Sequence, residues 1–304
     1  MFDVILQAGV LILCGVIWRV TTPLGLEAES VRRNLTGVVY VLLLPALVLV
    51  VLWRAPMGLD SVRIALAAAA GIGTGMLLAW LWFRRSAQPD MVVGAMLLAA
   101  AFPNATYMGL PVLESTFGGW ARSIAIQYDL FACTPLLLSV GIAMAARYGG
   151  IERKGHPLTE LLRVPPLWAA VGGIVLNLLQ VPLPAVVGSL LDKLGSGVVP
   201  LMLFSVGLGL RWAGSWRRQV PLVLPVVVIQ LLLTPLVIWG VAGIIGLQGD
   251  KLVAVVLEAA MPTMVLGIVL CDRYNLDTSL YAMTVTVSTV FSMLSLPMWF
   301  GVLK

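Results

Sequence analysis

Ten apolar runs divide the chain, and most approach the roughly 20 residues that a helix needs to cross a bilayer. The pattern predicts an all-α membrane protein with ten transmembrane helices. The first run has no basic residues before it and no small-residue cleavage site, so we interpret it as a spanning helix and not as a signal peptide. The runs fall at about residues 2–18, 34–53, 61–83, 91–117, 120–146, 166–181, 196–212, 220–246, 252–271 and 279–302.

Two of these runs, the fourth and the ninth, are interrupted by proline. Pro103 is followed by Asn104, and Pro262 is followed by Thr263. Proline has no N–H and its ring clashes with the carbonyl four residues earlier, so each helix should break there and the Ala99 carbonyl should lose its partner. Because asparagine and threonine are residue types that cap helices, a second half-helix is predicted to begin at each of them.

Such breaks at membrane depth occur only where protein covers the backbone or where it lines a cavity. Paired interrupted helices in corresponding positions of two halves are typical of a transporter binding site. Ten helices divide into five and five, and because five is odd the second half must enter the membrane from the opposite side. The second helix of each half also carries an internal proline, Pro45 and Pro200. The sequence therefore predicts a 5+5 inverted repeat.

Composition agrees with a chain that lies almost wholly in the membrane. Hydrophobic residues make up 60% and charged residues 11% of the sequence, whereas a soluble domain carries roughly a quarter charged residues. No separate soluble domain is expected. The three cysteines, Cys14, Cys133 and Cys271, lie within apolar runs, which argues against a disulfide framework.

Lysine and arginine predict the orientation. With the N-terminus outside, 13 of the 19 Lys and Arg residues fall in cytoplasmic connections, as positively charged loops prefer. Both termini are therefore predicted to face outward, and topology explains the net charge of +5 without a nucleic-acid partner. The connection between the halves, residues 147–163, is basic and contains His156, which we interpret as solvated.

Three motifs together resemble the auxin efflux carrier family, whose bacterial members include malonate-type carriers. They are Pro103-Asn104 with Met108-Gly109-Leu110-Pro111 and Phe117-Gly118, then Leu44-Pro45-Ala46, and Ala259-Ala260-Met261-Pro262-Thr263. The resemblance covers essentially the whole chain. The long hydrophilic loop of the plant members is missing, so plant-type phospho-regulation is not implied.

The resemblance implies the architecture of bile-acid symporters and sodium/proton antiporters. In that fold, residues 1–57 and 165–213 form scaffold helices 1, 2, 6 and 7, which often make a homodimer contact. Residues 58–148 and 214–304 form the moving transport helices 3–5 and 8–10, and residues 149–164 form a short basic cytoplasmic loop. Helices 4 and 9 cross at their breaks. The implied function is elevator-type secondary transport of small organic anions, such as malonate-like mono- or dicarboxylates, across the cytoplasmic (inner) membrane.

Two half-helix N-termini near the midplane would favour an anion, because unpaired N–H groups and the positive dipole end point towards it. Since no Lys or Arg lies in the central third of any run, the field would come from backbone N–H groups and the Asn104 side chain. Capping alone is the alternative role for the polar residues. The predicted substrate contacts are Pro103, Asn104, Ala105, Pro262, Thr263 and Met264.

Two acids, Asp129 and Glu258, lie within apolar runs, and intramembrane acids are functional candidates by default. One interpretation is that they compensate the positive half-helix ends, or that Asp129 is simply neutral and hydrogen-bonded to Gln127 or Tyr128. The other is that they carry coupling to a proton or sodium, for which Asn104 is a further candidate. In bile-acid symporter relatives a ninth-helix Glu before the break helps hold sodium, and Glu258 resembles it in placement. No other cofactor is expected.

Weaker candidates for cavity lining are Thr74, Tyr107, Gln127, Ser288 and Ser292. The glycines at 71, 73 and 75 predict close helix packing, and the hydroxyl-rich tenth helix predicts hydrogen bonds to the broken ninth helix.

An enzyme is the rival class. Tyr128-Asp129 resembles one motif of intramembrane aspartyl proteases, but the partner motif is absent, and no metal-ligand His/Cys spacing occurs. Two further hypotheses are a carrier without ion coupling and a structural or sensor protein.

Overall fold

The computed structural model describes residues 2–55, 58–150, 162, 164–210 and 216–304. Most of the basic connection between the halves, including His156, lies outside these residues. Within them the protein is helical and contains no strand. Its helices are α1 (Phe2–Thr21), α2 (Ala28–Arg54), α3 (Leu59–Phe83), α4 (Asp90–Ala101), α5 (residues 105–117), α6 (Gly119–Tyr148), α7 (Pro165–Leu178), α8 (Ala185–Gly209), α9 (Gln219–Ile244), α10 (Gly249–Ala259), α11 (Gly267–Arg273) and α12 (Thr278–Leu303).

Each of the ten apolar runs overlaps helix in the described residues, and the fourth and ninth are each split in two, as α4 with α5 and α10 with α11. The seventh run was expected to begin at about residue 196, but its helix, α8, already begins at Ala185. Six helices in the described ranges, namely α2, α3, α6, α8, α9 and α12, are long and apolar enough to span a membrane. The prediction of an all-α, multi-pass membrane protein is therefore confirmed. The count of ten spans and the inverted repeat stay predictions.

The start of α2 differs from the prediction. The helix begins at Ala28, whereas the apolar run begins at about residue 34. The first turns are polar, and Arg32 pairs with Glu29 one turn earlier at 2.5 Å, a spacing that stabilises helices. Hydropathy detects the part of a helix that faces lipid, so it misses polar turns beyond the bilayer.

Four prolines inside the helices are accommodated by wide π-helical turns. In α2, the N–H of Leu44 donates to the carbonyl of Val39, five residues back, just before Pro45. A wider turn makes room for the proline ring, which would otherwise clash with the preceding turn. The same arrangement recurs before Pro111, Pro135 and Pro235, in the π turns Ala105–Gly109, Asp129–Cys133 and Ile229–Leu233.

At the two predicted breaks the helices do unwind, and the two unwound segments pair with each other. Pro103 and Thr263 form an isolated antiparallel bridge. The N–H of Asn104 donates to the Pro262 carbonyl at 2.7 Å, and the N–H of Met264 donates to the Phe102 carbonyl at 3.1 Å. Each break thus satisfies backbone groups of the other, as buried backbone requires.

Helix packing follows two groups. α1 packs on α8, and α2 packs on α7 and α8, with Arg54 of α2 paired to Asp192 of α8 at 3.0 Å. α3 packs on α4 and α9, and α9 packs on α10. Close packing by the α3 glycines is present at two of the three positions. A Cβ on Gly75 would overlap the Ala100 carbonyl, and one on Gly71 would lie 3.1 Å from the Tyr128 hydroxyl, whereas a Cβ on Gly73 would meet open space.

Candidate functional site

A cavity of about 110 Å³ lies beside the crossing of the two broken helices. This volume holds a few water molecules or one small organic molecule. One wall comes from α2 and α7, the other from the first break, α6 and the segment after the second break. The lining includes Tyr40, Leu44, Pro166, Asn104, Asp129 and Met264. The cavity therefore separates the α1/α2/α7/α8 group from the helices that carry the crossing.

Asn104 lies in this cavity at the start of α5. Its carbonyl accepts the N–H groups of Met108 and Gly109, at 3.1 and 3.0 Å, so it occupies the cap position. Its side chain makes no cap hydrogen bond, so the predicted capping role of the side chain is wrong. The residue is only 3% exposed, and its Nδ2 has no hydrogen-bond partner in the described part of the chain. An unpaired buried donor costs about 1–3 kcal/mol, so this amide group can accept a further hydrogen-bond partner.

Thr263 has a different role from the predicted one. The half-helix after the second break, α11, begins at Gly267, so Thr263 does not cap it. Instead the Thr263 hydroxyl donates to the Ala99 carbonyl at 2.9 Å, and its N–H donates to Ser288 Oγ at 3.2 Å. The Ala99 carbonyl, which was predicted to lose its hydrogen-bond partner, thus accepts the Thr263 hydroxyl from the other break. The local capping rule failed because the hydroxyl found an acceptor across the crossing.

The predicted substrate contacts divide accordingly. Pro103, Asn104, Ala105 and Met264 line the cavity. Pro262 and Thr263 do not belong to its lining, and Thr263 is fully buried.

Asp129 also lines the cavity, at the start of a π turn in α6. One carboxylate oxygen accepts the hydroxyl of Thr106, and the other accepts the hydroxyl of Thr134 at 3.2 Å. Hydrogen bonds to Gln127 or Tyr128 are not present, since its partners come from α5 and from the next turn. Two hydroxyl donors suit a carboxylate, which accepts hydrogen bonds when it is ionised. Carboxylate and hydroxyl oxygens are also the type of ligand that hard cations prefer.

Glu258 lies apart from the cavity in the last turn of α10. It is 0% exposed, and neither carboxylate oxygen has a hydrogen-bond partner among the described residues. The carboxylate lies against Gly109 of α5, where a Cβ would overlap it. An unpaired charge is costly in such surroundings. Glu258 therefore differs from Asp129, whose carboxylate accepts two hydrogen bonds. Across the described chain, no group of three or more His, Cys, Asp or Glu side chains is placed to hold a metal.

The weaker candidates do not meet at one place. Tyr107 lines the crossing cavity, whereas Thr74 is not among its lining residues. Gln127 lines a separate cavity of about 180 Å³ with Arg54, Asp60 and Lys251.

Ser288 and Ser292 of α12, the tenth predicted helix, are fully buried and lie outside the crossing cavity. Ser288 accepts the Thr263 N–H at 3.2 Å, and Tyr281 donates to the Met264 carbonyl at 3.0 Å. The predicted hydrogen bonds from the tenth apolar run, now α12, to the broken ninth run, now α10 and α11, are therefore present. The Ser292 hydroxyl instead donates to the backbone carbonyl of Thr289 in its own helix at 2.7 Å.

Sequence reasoning missed several polar residues around the crossing. Gln230 donates its Nε2 to the Met261 carbonyl at 3.0 Å, and Thr106 and Thr134 hold Asp129. Gln230 is a polar residue inside an apolar run, a signal that could have identified it. The threonines gave no such signal, because hydroxyls are common in membrane helices.

Comparison with known proteins agrees with this description. Residues 9–300 match the model of a family described as membrane transport proteins. An uncharacterized transporter of Methanothermobacter thermautotrophicus is 32% identical over 99% of this chain and 98% of its own length. An uncharacterized transporter of Methanocaldococcus jannaschii is 25% identical over 69% of this chain and 68% of its own. The uncharacterized transporter YfdV of Escherichia coli K12 is 24% identical, over 66% and 65%.

These matches define a multi-pass membrane transporter and not an enzyme. The chain belongs to the membrane transport protein family, which is the auxin efflux carrier family that its motifs resemble.

Proposed function

We propose that this protein is a secondary transporter of small organic anions, malonate-like mono- or dicarboxylates, which bind in the crossing cavity. The observation that carries the proposal is the buried side-chain amide of Asn104, whose Nδ2 has no acceptor among the described residues. A carboxylate oxygen would supply that acceptor, and hydrogen bonds to charged groups are stronger than those between neutral groups.

The start of α5 supports the same ligand. The first N–H groups of a helix have no intrahelical acceptor, and the dipole gives that end a partial positive charge. Ala105, Thr106 and Tyr107 form this first turn, and all three line the cavity.

The proposed mechanism is elevator-type alternating access in a ten-helix, 5+5 inverted repeat. The separate packing of α1, α2, α7 and α8, with the cavity at its border, supports this division into scaffold and transport domain. The proposal includes a homodimer through the scaffold helices. It also places the protein in the cytoplasmic membrane with both termini outside.

The test of the anion site is Asn104→Ala in purified protein reconstituted into liposomes. We expect binding and counterflow of labelled malonate and related carboxylates to weaken about tenfold, the effect of losing one hydrogen bond to a charged group. Asn34→Ala removes the same group from an exposed position on α2 and should transport like the wild type. Unchanged affinity in a folded Asn104→Ala protein would place the site elsewhere.

We further propose that Asp129 carries coupling to a cation, either a proton or sodium. It lines the cavity and already has two hydroxyl oxygens around it. The Glu258 carboxyl group has no hydrogen-bond donor within the described chain to balance a negative charge. In this proposal Glu258 is therefore protonated and structural.

The two acids are separated by Asp129→Asn and Glu258→Gln, assayed with imposed sodium and pH gradients. Asp129→Asn should abolish gradient-driven uptake while substrate exchange persists, whereas Glu258→Gln should retain both. A sodium role appears as sodium-dependent thermal stabilisation lost in Asp129→Asn, and a proton role as a flattened pH dependence. If Asp129→Asn keeps gradient-driven transport at the wild-type rate, Asp129 does not carry the coupling. If neither gradient drives uptake by the wild type, the protein is an uncoupled carboxylate facilitator.

A further inference from the structure

An open groove of about 660 Å³ lies on the outer face of α3, α4 and α6, away from the crossing cavity. Its walls are mainly apolar and include Met76 and Leu77 of α3, Leu97 of α4, and Val140 and Met144 of α6. Lipid contact is the default for such a face in a membrane protein. A groove differs from a flat face because side chains on both of its sides can contact one molecule.

The groove exists because its floor carries a residue without a side chain. Gly73 lies in the groove, and a Cβ added there would meet nothing within 4 Å. The neighbouring glycines differ, since Cβ atoms on Gly71 and Gly75 would contact Tyr128 and Ala100. Packing therefore accounts for Gly71 and Gly75 but not for Gly73, which leaves space facing outward.

The length of the groove matches one leaflet of a bilayer. Gly73 and Arg84 are 11 residues apart, which is about 16 Å at 1.5 Å per helical residue. One leaflet contributes about 15 Å of hydrocarbon, half of a core about 30 Å thick. An acyl chain that entered beside Arg84 would reach Gly73 near the midplane.

The end of the groove nearest the membrane surface is basic. Arg147 lines it on α6 and makes no ion pair with a described residue. Trp80 lines it on α3, and the guanidinium of Arg84 lies 4.9 Å from the centre of the Trp80 ring. Tryptophan favours the headgroup level, and basic pockets between membrane helices bind anionic headgroups.

We propose that this groove is a binding site for one anionic phospholipid, with an acyl chain along Gly73 and the headgroup phosphate at Arg147 and Arg84. The inference depends on the membrane location of the protein and not on its substrate. The lipid would lie on the outer side of α6, whose residues Leu137 and Leu138 line the crossing cavity from the inner side. The lipid would thus contact the helix that forms one wall of the proposed anion site.

The test uses the full-length protein purified in detergent and titrated with dioleoylphosphatidylglycerol or dioleoylphosphatidylcholine, with bound lipid counted by native mass spectrometry. The wild type should bind one phosphatidylglycerol in preference to phosphatidylcholine. Arg147→Gln should weaken phosphatidylglycerol binding about fivefold, the contribution of one basic residue near an anionic headgroup, and should weaken phosphatidylcholine binding less, because the choline cation offsets the phosphate charge.

Gly73→Leu fills the groove and should weaken binding of both lipids. Gly240→Leu is its matched control, since Gly240 is another helical glycine with nothing within 4 Å of an added Cβ, and it should bind like the wild type. The proposal is overturned if the wild type does not discriminate between the two lipids. It is also overturned if Arg147→Gln binds phosphatidylglycerol as the wild type does, a result that does not depend on whether Gly73→Leu folds.

Discussion

The two breaks look alike in sequence but differ in what surrounds them. At the first, Asn104 faces the cavity with a side-chain donor that has no partner in the described chain. At the second, Thr263 is fully buried and hydrogen-bonded through both its hydroxyl and its N–H. The first break therefore leaves a side-chain donor unpaired at the cavity that we propose as the anion site, whereas the second break makes hydrogen bonds across the crossing. Three substitutions test this division, starting with the contact between the two broken helices.

The largest effect is expected from Gly109→Ala. Gly109 follows the first break and lies against the Glu258 carboxylate, which precedes the second. A methyl group there would overlap the carboxylate of a side chain that is 0% exposed, so that carboxylate would have to shift within a packed interior. Overpacking of this kind costs about 1–3 kcal/mol, and we expect the upper end of that range. The measurement is the melting temperature in detergent by intrinsic tryptophan fluorescence, together with transport in liposomes.

Two variants control that result. Gly37→Ala adds the same methyl group to α2 where nothing lies within 4 Å, and it should leave the melting temperature unchanged or slightly raised. Adding Glu258→Ala to Gly109→Ala should restore stability by removing the overlapping carboxylate. A Gly109→Ala protein as stable as the wild type would show that the two broken helices are not tightly packed here.

A smaller loss is expected for Thr263→Val, which keeps the shape of the side chain but removes its hydroxyl. The Ala99 carbonyl would lose its 2.9 Å donor, and a buried unsatisfied group costs about 1–3 kcal/mol. Thr284→Val is the control, because the Thr284 hydroxyl donates to Leu280 within its own helix, where the carbonyl keeps its backbone partner. Equal melting temperatures for the two variants would contradict the clamping role of Thr263.

The smallest effect on stability is expected for Asn104→Ala. The Asn104 side chain makes no cap hydrogen bond, so the loss of about 1 kcal/mol that follows removal of a true cap should not occur. The melting temperature should match that of the wild type even though anion affinity falls. A drop as large as that of Thr263→Val would mean that Asn104 holds the fold and is not reserved for a ligand.

The breaks could be predicted from sequence because proline acts on its own turn. Pro103 and Pro262 carry the same local chemistry wherever they occur in a helix, and the apolar runs around them place that chemistry in the membrane. The π turns before Pro45 and Pro111 were not predicted. The same proline chemistry produced a wide turn there instead of a break, and the choice between the two depends on what the neighbouring helices provide.

The partners of the site residues could not be predicted, because they come from distant parts of the chain. Thr263 was expected to cap the next helix, but its acceptor, Ala99, lies 164 residues away. Asp129 was expected to bond to its neighbours in sequence, but one of its donors is Thr106 on another helix. Gln127, only two residues from Asp129, lies in a different cavity, since the helix turns it to another side.

The crossing itself is built from backbone atoms. Besides the hydroxyl of Thr263, its hydrogen bonds join the N–H groups of Asn104 and Met264 to the carbonyls of Pro262 and Phe102, and any residue other than proline could supply those N–H groups. Side chains at 104 and 264 can therefore change without loss of the pairing. Substitutions at these two positions would change the lining of the cavity while the backbone pairing persists, so the lining and the framework can evolve independently in this chain.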